Sequence, residues 1–354
     1  ITPAAITSHF MMPPKMFTRM PFTCEFDSSS RNAAVTWSLV APPPKAPVAG
    51  STVFQTVSDP QVARIVPSLV TVTFDMPYAV AGVTERHYYG TGLVVDAARG
   101  LVVVDRNTVP VSLGDVRVTF AGTLEVPGRV AFVHPLHNLA MLQYDPTLIG
   151  TTPVRSAKLG RKPLRAGDEV TVVGLAPDTG IKSRTTSVAD IDPVALPLSR
   201  TMQFRESNLE AIELVNGPQD FDGVLLDKSG AVAGVWSTFA SESGREVVQQ
   251  NLGVPIDVVA DMVASVHEGR AINSLEAELF PQPLAAARRL GLTDDWVKRF
   301  ESADSGTRRV LTVTRLVGGS DAARELQQGD LLLAIDGEVV THFRGVERAV
   351  ANKP

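Results

Sequence analysis

Between residues 61 and 240 the apolar positions fall in short runs, cut by glycine, proline and polar clusters. Six runs come first: "SLVTVTF" (68–74), "TGLVVD" (91–96), "GLVVVD" (100–105), "VRVTF" (116–120), "EVPGRVAFV" (125–133) and "LAMLQYD" (139–145). A second set follows: "DEVTVVGL" (168–175), "IKSRTTSVADID" (181–192), "AIELV" (211–215), "GVLLD" (223–227) and "AVAGVW" (231–236). Runs of this length and spacing predict an all-β barrel or sandwich, here two barrels in series. Asp227-Lys228-Ser229-Gly230 predicts the turn of a β-hairpin, with Gly where positive φ is needed. Gly100 marks another tight turn, and Gly167-Asp168 a turn into the second barrel. The period changes at "PIDVVADMVASVHEG" (255–269), whose helical spacing ends at Gly269, a residue suited to a helix stop. Residues 272–354 then predict a small mixed domain. "SLEAELF" and "RRVLTVTRLV" read as strands, "PLAAARRLGL" and "FRGVERAVANK" as helices, and "DAARELQQGDLLLAIDGEVV" as a short helix, a turn and a strand pair.

Upstream the pattern is irregular. "HFMMPPKMF" is broken by proline, and "APPPKAPVAG" reads as a stiff linker. We divide the chain into residues 1–50, the tail of a preceding domain with a Pro-rich linker, a double-barrel domain over 61–265, and a small α+β domain over 272–354. Ile1 and Pro354 suggest a piece of a longer protein, with any targeting signal outside it.

Composition narrows the classes further. The 354 residues are 44% hydrophobic and 20% charged, with a net charge of −5 and the two signs interspersed. No basic stripe suggests nucleic acid, and no apolar stretch is long enough to span a membrane. One cysteine, Cys24, excludes an internal disulfide framework and favours a reducing, intracellular compartment. It has no recognisable His partner, so a reactive role is not expected.

Several segments resemble the HtrA/Deg family of serine proteases, a trypsin-like double barrel followed by PDZ domains. "GTGLVVDAARGLVVVDRNTV" is similar to the hairpin that leads to the family's catalytic His. "HPLHNLAMLQYD" is similar to the strand bearing its Asp, and "GVLLDKSGAVAGVW" to the hairpin after its Ser loop. "SDAARELQQGDLLLAIDGEVV" resembles a PDZ core. "PLAAARRLGLTDDWVKRFE" is similar to the tandem fungal and plant members, which carry one active and one degenerate protease unit; this chain resembles the degenerate one. The fold implied is mostly β: a chymotrypsin/trypsin-like double β-barrel followed by a small α+β PDZ-like domain.

A Ser-His-Asp site needs a nucleophile, a base and a carboxylate that orients the base. The resemblance puts Asn107 at the His position, Asn138 at the Asp position and Phe221 at the Ser position. Asn has no group that titrates near neutrality, and Phe has no nucleophile. A register shift does not rescue the triad, since residues 88–133 contain no His and residues 208–228 no Ser, Thr or Cys. Asp220 and Asp222 would place carboxylates where an oxyanion develops, and Pro218 removes an N–H. No catalytic residue is therefore assigned.

Other candidates read as structural. His134 and His137 suit a metal only on a helix; Pro135 argues against one, so both are expected as solvent-facing loop histidines with no metal. Ser229 is a turn residue, and the "GTG" at 90–92 is too short to be a phosphate loop.

A PDZ domain binds a peptide C-terminus by strand addition beside a helix. By resemblance the strand is 274–279, with Leu275, Glu276, Ala277, Glu278 and Leu279. The helix is 342–350, with Val346 and Val350 facing the peptide. Glu276 in the carboxylate loop disfavours an incoming carboxylate. The resulting expectation is a catalytically inactive scaffold, docking or regulatory unit of a larger endopeptidase of protein quality control, without cofactors. Its partners would be unfolded or damaged proteins and peptide C-termini, and the parent would be a homo-oligomer in the nucleus, cytoplasm or chloroplast. The rival readings are a hydrolase with a rebuilt site and a stand-alone peptide-binding adaptor.

Overall fold

A computed structural model of the chain describes residues 48–78, 85–178, 180–198, 204–243 and 246–351. The expectations for residues 1–47, Cys24 among them, lie outside the described residues.

A short helix, α1 (Pro60–Ile65), leads in, its first amides capped by the Asp59 carboxylate. Six strands follow: β1 (Leu69–Asp75), β2 (His87–Asp96), β3 (Leu101–Val104), β4 (Asp115–Phe120), β5 (Leu124–Val133) and β6 (Ala140–Tyr144). They close into an antiparallel barrel in the order β1-β2-β3-β6-β5-β4. A second six, β7 (Glu169–Leu175), β8 (Ile181–Pro193), β9 (Glu210–Leu214), β10 (Gly223–Leu226), β11 (Val232–Ser243) and β12 (Glu246–Pro255), close in the order β10-β11-β12-β9-β8-β7. The double barrel expected from the apolar runs is thus the observed fold.

Alternation along the strands sorts the side chains. Val70, Val72, Phe74, Val102, Val118 and Phe120 fill the first barrel, and Val170, Val172, Ile212, Leu225 and Trp236 the second. The opposite faces of several strands are buried as well. Leu93, Val103, Leu139 and Met141 of the first barrel meet Val173, Val224 and Val235 of the second. The helix α2 (Ile256–Glu268) joins this shared layer through Ile256, Val259 and Met262. It stops where expected, at Gly269, whose φ of 64° places it in the left-handed region.

The remainder contains β13 (Ala277–Pro283), α3 (Leu284–Arg289), α4 (Asp294–Ala303), β14 (Arg309–Leu316), α5 (Ala322–Glu325), β15 (Leu331–Leu332), β16 (Ala334–Ile335), β17 (Glu338–Val339) and α6 (Phe343–Val350). The strands form a sheet ordered β13-β14-β15 and a separate β16-β17 pair. Leu279, Leu311, Val313, Phe343 and Val346 make a core of their own.

Four elements depart from the sequence reading. β12 was not anticipated because its centre, Gln249-Gln250-Asn251, is polar; it pairs with β11 from Gly234↔Pro255 to Ser243↔Glu246. α1 and α4 are too short to display a helical period. The strand expected at 274–279 begins three residues later, at Ala277. Glu276 has a left-handed φ of 54°, and its amide donates to Ser274 Oγ, so Ser274 to Glu276 form a turn before the strand can start.

Candidate functional site

The three positions matched to a triad lie on different elements. Asn107 sits in a turn after β3, partly buried. Asn138 lies just before β6 and is 4% exposed. Its Oδ1 accepts from the amide of Arg106 at 3.0 Å, and its Nδ2 donates to the carbonyl of Thr238 on β11 at 2.8 Å. Asn138 is therefore next to the Asn107 turn and reaches across to the second barrel. Phe221 is buried in the second barrel's own cluster, beside Leu164, Val170 and Trp236. Its aromatic ring points into that barrel. Its carbonyl accepts from Asn251 Nδ2 at 3.0 Å.

The nucleophile-loop carboxylates are placed differently from expectation. Asp220 is exposed. Asp222 turns away from the loop and onto β2. Its carboxylate accepts from Thr91 N at 3.0 Å and from Thr91 Oγ1 at 3.0 Å, and Thr91 Oγ1 in turn accepts from Leu175 N at 3.0 Å. Gly90 explains how Asp222 comes so close. A Cβ there would lie 2.2 Å from Thr108 Oγ1 and 2.7 Å from Asp222 Oδ2. The "GTG" that looked like a weak phosphate motif is thus a close-approach glycine next to an inter-barrel tie.

Asp105 supplies a parallel tie. It is buried and accepts from Thr108 N at 2.8 Å and from Thr238 N of the other barrel at 2.9 Å. Burial raises the Asp105 carboxyl above its usual range. Burial, and then the nearby charge of Asp105, push Asp222 up to about 7. The cleft between the barrels therefore holds a hydrogen-bonded joint of Thr91, Asp105, Asn138, Asp222 and Thr238. Among the described residues no serine or threonine hydroxyl shares a hydrogen bond with a histidine ring.

His134 and His137 correct the sequence expectation. Both are buried, at 4% and 2% exposure, because they turn inward at the seam with the following domain. His134 Nδ1 accepts from the amides of Leu136 and His137, at 3.1 and 2.9 Å, so its ring is neutral. Burial first, and the charge of His137 second, push it down to about 3. His137 is the reverse case. Its Nδ1 meets Glu206 Oε1 at 3.0 Å and its Nε2 meets Glu347 Oε1 at 2.6 Å. Burial opposes its charge, but the two carboxylates outweigh burial and hold it up at about 10. Glu347, on α6, is itself held low by His137 and Arg344 against the effect of burial. These carboxylates are 69 and 210 residues away in sequence, which is why the sequence offered no sign of them.

The segment linking β8 to β9 organises this region. Arg106 stacks 3.8 Å over the ring of Phe204. Arg205 pairs with Glu278 of β13. Glu206, 1% exposed, accepts from Asn138 N at 2.7 Å as well as from His137. Asn208 reaches β13 directly. No motif marks these residues in the sequence.

The residues expected to line a peptide groove do converge. A hollow of about 310 Å³ is lined by Leu275, Glu276, Ala277, Glu278, Leu279, Phe343, Val346 and Val350. It lies between β13 and α6. Leu136, Ser207 and Asn208 of the double barrel contribute a further wall, alongside Arg315 and Leu316 of β14.

No family model matches the chain. Among curated proteins it is 32% identical over 304 residues to "Pro-apoptotic serine protease nma111" of Neosartorya fischeri, covering 82% of this chain and 30% of that protein. It is 32% identical over 318 residues to "Protease Do-like 7" of Arabidopsis thaliana, covering 80% of this chain and 29% of that one. A "PDZ domain-containing protein" of Schizosaccharomyces pombe is 32% identical over 291 residues. The chain spans about 30% of the length of the first of these relatives. Among solved structures, "HtrA-type protease AlgW with tripeptide" superposes with a TM-score of 0.56 at 19% identity, over 83% of this chain and 87% of that one. The decapeptide complex of the same protease gives 0.53 at 18%. At that identity the likeness speaks for the fold alone. By sequence over four-fifths of its length, and by the shared architecture of its two closed barrels, the chain belongs among the homologues of the HtrA/Do-like serine proteases.

Proposed function

We propose that this chain is a non-catalytic protease unit with a PDZ-like peptide-docking module, acting as a scaffold and substrate-docking part of a larger HtrA/Deg-type serine endopeptidase. One observation carries the reading: two of the three residues at the triad positions, and a carboxylate beside them, are engaged in structure. Asn138 bonds the Arg106 amide and the Thr238 carbonyl, Phe221 is core, and the neighbouring Asp222 is tied to Thr91. A serine or threonine nucleophile of this family needs a histidine base within hydrogen-bond reach, and no such pair is built among the described residues. The groove between β13 and α6 supplies the binding part, with an apolar lining and a strand edge. Unfolded, extended segments of proteins are the partners such a groove suits.

The test is chemical. An active-site-directed fluorophosphonate should leave the chain unlabelled, and casein turnover should stay at background. Stoichiometric labelling of any serine in the chain, with turnover that survives removal of contaminating protease, would show a working hydrolase and end this reading.

A further inference from the structure

The ligand edge of β13 is already occupied. On one side β13 faces β14: the Glu276 carbonyl accepts from Val317 N at 2.9 Å, and the Glu278 carbonyl from Thr314 Oγ1 at 2.9 Å. The intervening groups point the other way, into the groove. There Asn208 meets both of them. Its Nδ2 donates to the Ala277 carbonyl at 2.8 Å, and its Oδ1 accepts from Leu279 N at 2.8 Å. A carboxamide offers one acceptor and a donor, as a peptide unit does. Asn208 thus stands in for one residue of an added strand.

We propose that residues 204–208 are the resident occupant of the β13–α6 groove, and that an extended apolar peptide docks there only by displacing Asn208. The proposal rests on the peptide-docking reading above and adds what keeps the site closed. Further contacts from the same stretch of chain agree. Arg205 pairs with Glu278, the residue between the two capped positions. Glu210 Oε1 accepts from Phe343 N at 2.9 Å and so caps the first turn of α6. Asn208 has a left-handed φ of 55°, a conformation in which Asn is among the few comfortable residues other than Gly. Both its backbone and its side chain suit this role.

The incoming partner is an internal, extended segment with apolar side chains. Leu275, Phe343, Val346 and Val350 offer it an apolar wall. The carboxylate-binding end is unsuited to a chain terminus, because the Glu276 amide is used by Ser274 Oγ and the exposed Glu276 carboxylate stands beside it. Displacing Asn208 also pulls on Glu206, two residues earlier, which holds His137 and the Asn138 amide. Groove occupancy is thereby linked to the inter-barrel joint.

The experiment compares the full chain with Asn208→Gly, which keeps the left-handed backbone and deletes the carboxamide. Two readouts are taken. Amide hydrogen exchange at Leu279 should speed up about tenfold or more in the variant, as expected when a bonded amide loses its acceptor. Binding of fluorescent, reduced and carboxymethylated lactalbumin, a permanently unfolded chain, should tighten about tenfold when the closed state no longer competes. Adding Val350→Asp should cancel the gain, which places the binding in the groove. If the native chain binds the probe as tightly as Asn208→Gly, and Val350→Asp abolishes both, the groove is open: the occlusion is wrong and the docking reading stands. If neither form binds while Leu279 exchanges faster in the variant, the groove takes no strand, and both readings fall.

Discussion

His134 and His137 sit with ring centroids 4.8 Å apart and hold opposite charge states, one near 3 and the other near 10. The difference is one of partners: amide donors around His134 demand a neutral acceptor, whereas Glu206 and Glu347 demand a cation. His137→Gln would leave Glu206 buried without its charge partner, a loss of about 3–5 kcal/mol for a broken buried pair. The folded pKa of His137 lies above the unfolded one. Its contribution is therefore complete below about pH 6.5 and declines toward zero as pH rises to the folded value. Urea midpoints of the native chain and His137→Gln should differ most near pH 6 and converge near pH 10; a gap that persists unchanged to pH 10 would refute the assignment. Asp222 runs the other way. Its folded pKa, about 7, is above the usual carboxyl value, so the folded state keeps a proton that the unfolded chain has lost between about pH 4 and 7. Stability from this group falls across that window and is level above it. Asp222→Asn keeps an acceptor for Thr91 and should stabilise the protein at pH 8, on the order of 2 kcal/mol, while gaining nothing at pH 4. An equal effect at both pH values would show that Asp222 ionises normally.

At the scale of elements, the loop before β10 has become part of the second barrel's core. Phe221 packs with Trp236, whose Nε1 donates to the Pro218 carbonyl at 2.9 Å, and Asn251 of β12 holds the Phe221 carbonyl. The loop is thus pinned from inside the barrel by two strands. Phe221→Ser should cost roughly 2–4 kcal/mol by emptying a buried aromatic site and leaving a hydroxyl among apolar neighbours. Chemical denaturation measures it; a change below about 0.5 kcal/mol, the range of exposed positions, would mean the ring is not part of the core.

For the molecule as a whole, restoring Asn107→His, Asn138→Asp and Phe221→Ser together should yield no efficient protease. Triad members act as a unit, so all three are needed, yet the surroundings of Asn138 and Phe221 oppose it. An Asp at 138 would face the Thr238 carbonyl, where Nδ2 now donates, and would sit beside the Glu206 carboxylate. Asp222 remains tied to β2 in place of a free oxyanion loop. The loss of a single oxyanion donor costs about two to three orders of magnitude in rate, so casein turnover by the triple variant should stay below about a thousandth of that of a working relative. Turnover within tenfold of such a relative would mean that the cleft is already organised for catalysis.

The apolar runs alone were enough to establish two sets of strands, the α2 helix with its Gly269 stop, and a mixed C-terminal part. Each of these depends on a local period and a local breaker. The proposal that the triad chemistry is missing likewise rests on residue types, since Asn107 offers no base and Phe221 no nucleophile. The sequence could not show β12, whose polar centre is supported by pairing with β11. Nor could it show the burial of His137, whose partners Glu206 and Glu347 lie 69 and 210 residues away. The role of Asn208 was hidden for the same reason. Its carboxamide has meaning only when β8 and β9, closing the second barrel, carry the intervening segment to the edge of β13. Local propensity fixes where a strand can be, while the partners of a buried polar group are set by which distant segments the closed barrels bring within 3 Å, a decision made in three dimensions.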